Sequence, residues 1–147
     1  MNNNQNIAVA QIKGNNLAEG LTATAYFYPV NGGTLVEIEA LNMPLDQSHP
    51  YALHIHEGNT CTNGEFLGAG AHYNPTNANH PMHAGDLPPL FSNNGYSYMS
   101  VFTNKFTPEE IIGKTVIIHA RGDDFISQPS GGSGARIACG VIQKYAS

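Results

Sequence analysis

The chain has 147 residues, 41% apolar and 12% charged, which suffices for one core and is too short for two substantial ones. Six Lys and Arg stand against eleven Asp and Glu, so the formal charge is -5 and no basic cluster is available to displace counterions from a nucleic-acid backbone. Sixteen Gly and nine Pro, spread along the length, argue for a globular fold with many turns and against a disordered or collagen-like chain.

The lead MNNNQN is polar and lacks the basic start and apolar core of a signal peptide, so residues 1–6 read as a disordered lead and 7–147 as a single domain. Seven runs then read as strands: NIAVAQI, TATAYFYPV, GTLVEIEAL, YALHIHE, GYSYMSVF, KTVIIHAR and ARIACGVIQ. Each is rich in β-branched or aromatic residues, most alternate partly with period 2, and Gly, Asn or Pro bound them. Asn31, Gly32 and Gly33 form a hairpin signal between the second and third. The one helical signal is TPEEIIG, with Thr107 as N-cap, Pro108 at the first helical position, Glu110 completing a capping box and Gly113 as terminator. Seven or eight short strands without helical periodicity predict an all-β fold, an antiparallel sandwich or barrel of Greek-key connection. The longest apolar runs fall far short of the ~20 residues that span a bilayer, so no membrane span is expected.

Two segments do not fit the strand pattern. One runs from Glu57 to about Gly95 and is dense in Gly, Asn, Pro and His; the other, between Arg121 and Ala135, is rich in Ser and Gly. Loops of this length in a compact domain are functional or are held by something other than a ladder, and a metal and a disulfide are the obvious fasteners. The two cysteines are Cys61, in the first loop, and Cys139, in the last strand. Bridged, they would close a loop worth ~4.5 kcal/mol of chain entropy; as free thiols they would contribute nothing of the kind, and composition leaves both readings open.

Five of the seven histidines fall between Ala52 and Asp86, at His54, His56, His72, His80 and His83, and His119 ends an apolar strand. Residues two apart on a strand share a face, so His54 and His56 project side by side while Leu53 and Ile55 turn to the core. Val116 and Ile118 likewise face inward and His119 leaves on the other side. A lone strand histidine is more often a hydrogen-bonded residue than a ligand, but short spacings, shared faces and a nearby carboxylate weaken that reading here. Imidazoles with one carboxylate suit zinc or copper, and six His with Asp86 are too many for one tetrahedral zinc. The residues by themselves reach a two-metal β-barrel.

In this order, HIHEGNTC, GAHYNP, HAGDLP, VIIHARGDD and GGSGARIACGVI resemble the signature segments of copper-zinc superoxide dismutase, most closely the bacterial type, from about Leu53 to Ile142. The resemblance implies an eight-stranded antiparallel Greek-key β-barrel or sandwich with two long functional loops. It implies copper on His54, His56, His72 and His119, and zinc on His72, His80, His83 and Asp86, with His72 bridging. It makes Asp123 the carboxylate that links a ligand of each metal, Arg136 the guanidinium beside the copper, and Cys61–Cys139 the family disulfide. The activity implied is conversion of superoxide to oxygen and hydrogen peroxide by alternate reduction and reoxidation of copper, with His72 and Arg136 as the catalytic side chains. An exported protein is expected, in periplasm, envelope or outside the cell, with its leader absent from this sequence; a cytoplasmic site and a homodimer stay open. Two departures stand out. Only two residues separate His80 from His83, so the zinc loop is short, and the second loop lacks the charges that steer substrate in eukaryotic members. His49 matches no ligand position and is expected to be exposed.

Three rivals remain. A non-catalytic copper- and zinc-binding protein of the same fold would have no need of Arg136 as an anion dock. A zinc hydrolase would need an open position and a general base; the nearest carboxylate, Glu57, is expected to face away from the histidines. A plain adhesion module would bind no metal.

Overall fold

The computed structural model describes residues 7–146; the polar lead expected over residues 1–6 lies outside them. The strands are β1 (Ala8–Gly14), β2 (Thr22–Val30), β3 (Gly33–Leu41), β4 (Tyr51–His56), β5 (Asp86–Leu90), β6 (Ser97–Thr103), β7 (Thr115–His119) and β8 (Arg136–Lys144). They form one antiparallel sheet in the order β5-β4-β7-β8-β1-β2-β3-β6, and its ends β5 and β6 come back into contact, which makes a nearly closed barrel. The pairings β4 with β7, β8 with β1 and β3 with β6 join strands distant in sequence and give the Greek-key path.

All seven predicted runs are strands. The eighth, β5, has the sequence DLPPL, and its prolines hid it: Pro cannot donate to a ladder and is tolerated in a strand at the end of a sheet, where β5 lies. Between β2 and β3, Asn31 and Gly32 both take positive φ, the two-residue hairpin turn that the sequence signals. TPEEIIG forms a single 3-10 turn at Glu109–Ile111, and Thr107 and Glu110 exchange the two bonds of a capping box, Thr107 N–H to Glu110 Oε1 at 2.7 Å and Glu110 N–H to Thr107 Oγ1 at 3.4 Å.

Burial patterns show which wall is special. Inside the barrel, Ala23, Ala25, Phe27, Val36 and Ile38 alternate with residues that face solvent, the ordinary case of a half-covered antiparallel sheet. In β4 and β7 every residue is buried. Leu53, Ile55, Val116 and Ile118 join the core, while His54, His56, Ile117 and His119 point outward beneath the two long loops. A small apolar cluster of Phe66, Ala69, Ile117 and Cys139 seats the first of these loops on the wall, with Cys61 packed against it. A disulfide between Cys61 and Cys139, Cα atoms 5.7 Å apart, answers the question that composition left open.

Candidate metal centre

The predicted histidines arrive on this wall by backbone pairing. His54 and His56 share the outer face of β4, and Leu53 to His56 lie alongside Thr115 to Ile118 of β7. His119, the last residue of β7, pairs with Arg136 at the start of β8 across a register shift, a local irregularity of the kind that re-aims side chains. His72 is brought to β4 by an isolated bridge with His56, flanked by Glu57 N–H to Ala71 C=O at 2.9 Å and Tyr73 N–H to Ile55 C=O at 2.8 Å. Asp86 opens β5 opposite His54, and its N–H bonds to the His83 carbonyl at 3.1 Å.

The result is two overlapping groups. Ligand atoms of His54, His56, His72 and His119 all lie within 4.8 Å of one another, and so do those of His54, His72, His80 and Asp86. In the first, His119 Nε2 is 3.0 Å from His54 Nδ1 and 3.4 Å from His56 Nε2. In the second, His72 Nδ1 is 2.9 Å from Asp86 Oδ1, and Asp86 Oδ2 is 3.0 Å from His80 Nδ1 and 3.2 Å from His83 Nδ1. His83 therefore stands with this group too, 3.2 Å from His72 Nδ1. All six imidazoles are buried.

Partners of the opposite ring nitrogens test whether the residues fit metals. His54 Nε2 meets Asp123 Oδ2 at 2.9 Å, His80 Nε2 meets Asp123 Oδ1 at 2.7 Å, His56 Nδ1 meets the Gly70 carbonyl at 2.8 Å and His119 Nδ1 the Gly134 carbonyl at 3.4 Å. Facing acceptors, those nitrogens carry the protons, which leaves His54 Nδ1, His56 Nε2, His119 Nε2 and His80 Nδ1 as bare lone pairs that converge. His54 thus belongs to the first group, because its other nitrogen is engaged by Asp123. His72 differs from the rest: its Nδ1 faces Asp86 and its buried Nε2 has no hydrogen-bond partner. His80 Nδ1 is likewise buried and unbonded although Asp86 Oδ2 is 3.0 Å away, so the two are misaligned for a hydrogen bond and aim at common space. Buried polar atoms without partners are rare, and two of them inside a convergent donor set are what a pair of metal ions would satisfy.

Electrostatics favour the same state. Burial, helped by the neighbouring imidazoles, pulls His56 down to about 2 and His54 lower still; burial, with His72 and Arg136 acting the same way against the Gly134 carbonyl, draws His119 down to about 4. His83 is lowered by burial as well. Burial pushes the Asp86 carboxyl up, but the hydrogen bond from His72 and the surrounding imidazoles prevail and lower it. Neutral imidazoles around a carboxylate are the protonation state in which such side chains coordinate.

A cavity of about 600 Å³ opens onto this cluster, lined by His56, His72, His119, Glu57, Gly70 and Arg136 among others. Arg136 is fixed in it by two bonds, Nη1 to the Phe66 carbonyl at 2.8 Å and Nη2 to the Gly70 carbonyl at 2.6 Å. The Gly70 oxygen therefore serves both Arg136 and His56. Gly70 has φ 69° and ψ -150°, a conformation essentially restricted to glycine. Two expectations need correction. Glu57, expected to face away from the histidines, follows the last residue of β4, is exposed, and is among the residues that line the cavity. His49 is half-buried, with Nδ1 2.8 Å from the Pro50 carbonyl and its ring against Tyr51. The sequence reading also missed the carbonyls of Phe66, Gly70 and Gly134, since a backbone acceptor leaves no mark on residue type.

A family profile described as "Copper/zinc superoxide dismutase (SODC)" matches residues 21–142. A Cu-Zn superoxide dismutase of Deinococcus radiodurans is 34% identical over 144 residues, covering 84% of this chain and 78% of that protein. One from Aquifex aeolicus is 32% identical, over 77% of this chain and 75% of that one. Among solved structures, a SOD-like protein from Bacillus subtilis superposes with a TM-score of 0.73 at 31% identity, covering 90% of this chain and 96% of that one. A double mutant of it, carrying histidines in place of a tyrosine and a proline, gives 0.75 at 32% identity, covering 92% and 96%. Profile, relatives and barrel agree with the histidine wall, and the chain belongs to the copper/zinc superoxide dismutase family.

Proposed function

We propose that this protein is a superoxide dismutase that uses copper and zinc to convert superoxide to oxygen and hydrogen peroxide. In this reading copper takes the lone pairs of His54, His56, His72 and His119, and zinc those of His72, His80, His83 and Asp86. The observation that supports it best is His72: its Nδ1 lies 2.9 Å from Asp86 of one group, its buried Nε2 has no partner, and its ring lies 4.0 and 4.8 Å from those of His54 and His56 of the other. Bound copper supplies the one-electron couple that the reaction needs, whereas zinc, which has no redox chemistry, supplies a fixed charge.

The chain's own residues account for the rest. Arg136 docks the anion: two of its five donors are used on Phe66 and Gly70, which fixes the guanidinium plane, and the remaining donors are free for substrate beside His56 and His119. When not engaged by metal, His72 Nε2, unbonded within the protein, would hold one of the two protons that hydrogen peroxide takes, the other coming from water. Asp123 keeps the His54 and His80 rings in one tautomer and orientation. The disulfide favours an oxidising compartment, and we read the protein as exported on that ground.

Pulse radiolysis of the copper- and zinc-loaded protein tests the reading. Catalysis is expected within reach of the diffusional ceiling, roughly 10⁸ to 10⁹ M⁻¹s⁻¹. A loaded protein with no catalysis would instead be the non-catalytic metal binder of the same fold, a reading suggested by the Bacillus subtilis neighbour, which is called only SOD-like.

A further inference from the structure

The short segment from Tyr73 to Gly85 is held largely by local turns, Asn74 to Asn77 and Asn79 to Met82, the second of which contains His80. Its ends are tied by Tyr73 N–H to the Ile55 carbonyl and Gly85 N–H to the Tyr73 carbonyl at 3.0 Å, and Asn74 bridges a local turn through both its amide atoms to Ala78. His80 lies beyond that turn. Among the described residues, neither its main-chain N–H nor its C=O bonds to any other main-chain group.

Both are taken by one side chain from the other loop. Gln128 Oε1 accepts from His80 N–H at 2.8 Å, and Gln128 Nε2 donates to His80 C=O at 2.7 Å; the same Nε2 reaches the Ile126 carbonyl at 3.0 Å. The carboxamide does for His80 what a neighbouring strand does for a ladder residue: it offers one donor and one acceptor in a plane. Asp123 of the same loop holds the His80 ring at Nε2. The main chain and the far edge of the imidazole are thereby fixed by a single segment, and Nδ1 is left unbonded 3.0 Å from Asp86 Oδ2.

We propose that Gln128 is a positioning residue for the zinc side of the centre, clamping the main chain of His80 so that its Nδ1 stays in register with His72, His83 and Asp86. The inference rests on the reading of those four residues as zinc ligands. It assigns a physical role to a residue that the sequence does not single out, and it explains how a zinc loop this short keeps its geometry: the restraint lies in the loop opposite.

The test uses the whole chain in three forms, wild type, Gln128→Ala and Gln128→Glu. The glutamate keeps volume and acceptor but sets a carboxylate against the carbonyls of His80 and Ile126. Zinc affinity, measured by chelator competition, is expected to fall about tenfold in Gln128→Ala, which loses both bonds to His80, and by a similar factor in Gln128→Glu, which keeps the bond to N–H but sets its charge against the carbonyl. Copper affinity should change less than twofold, because His80 is outside the copper group. Cobalt(II) at the zinc position should lose visible absorption as its tetrahedral geometry loosens, and in the metal-free protein the His80 amide should exchange faster with deuterium. Zinc affinity and cobalt spectrum unchanged in both variants would overturn the proposal, as would equal losses of zinc and copper, which would mark a general structural role. Wild-type protein that takes up no zinc would sink the metal reading itself.

Discussion

At the scale of single residues, the imidazoles of this wall depend on the groups that aim them, with Asp123 holding the His54 and His80 rings. His54, His56, His72, His80, His83, His119 and Asp86 could be named because imidazole and carboxylate at strand and loop spacings announce coordination chemistry. The groups that orient them include carbonyl oxygens at Gly70 and Gly134, and a glycine defined by the side chain it leaves out. That glycine is Gly131, at φ +72°, where a Cβ would stand inside the Asp123 carboxylate and 2.7 Å from His80 Nε2. Gly131→Ala is therefore expected to displace Asp123 from His54 and His80 together. The left-handed backbone costs roughly 1–2 kcal/mol with a Cβ present, and separating the buried carboxylate from two imidazoles adds to it, so the metal-free variant should melt lower by on the order of 10 °C. Chelator competition should show zinc affinity down by roughly 10–100-fold with copper affinity also reduced. The loss of both metals separates this variant from those at Gln128. Unchanged affinities would mean that Asp123 does not control the two rings.

At the scale of elements, alternation made most of the barrel readable, and it failed where an element does two jobs. β5 escaped because its prolines deny it the composition of a strand, yet it carries Asp86 into the site. β4 and β7 were readable as strands, but their complete burial was not, because what covers their outer face is irregular loop. The disulfide loop shows how such cover is tied to chemistry. Cys61 and Cys139 clamp a segment whose Phe66 and Gly70 carbonyls hold Arg136, and whose Gly70 carbonyl also holds His56. Cys61→Ser should cost about 2–5 kcal/mol of stability, a melting point lower by roughly 10 °C. Once the loop is free, the two acceptors no longer fix the guanidinium, and the catalytic rate per bound copper should fall as well. Calorimetry and pulse radiolysis on copper-matched samples check both. A lower melting point with an unaltered rate per copper would break the link between loop and arginine.

For the molecule as a whole, the question is how an anion approaches a chain of net charge -5. Between Arg121 and Arg136 the second loop carries Asp123 and Asp124 and no cation, so it supplies no positive field to draw superoxide in. On the proposed reading attraction is left to Arg136, inside the cavity, and to the exposed Arg121, whose side chain lies beside Gly134 of the cavity lining, and it is opposed at the same cavity by the exposed Glu57. Two unit charges on the order of 10 Å apart in water interact by about 0.4 kcal/mol at low ionic strength, or about twofold in an association rate, and by far less once the Debye length shrinks to about 3 Å at 1 M salt. Glu57→Gln removes that repulsion without touching a metal donor, an arginine contact or the main-chain bond that Glu57 makes to Ala71. The bimolecular rate with superoxide should therefore rise about twofold at low salt, and the variant and wild-type curves should converge as salt increases. A gain that persisted at high salt would point to altered local structure and not to the field. No gain at low salt would mean that the approach path lies beyond the reach of Glu57.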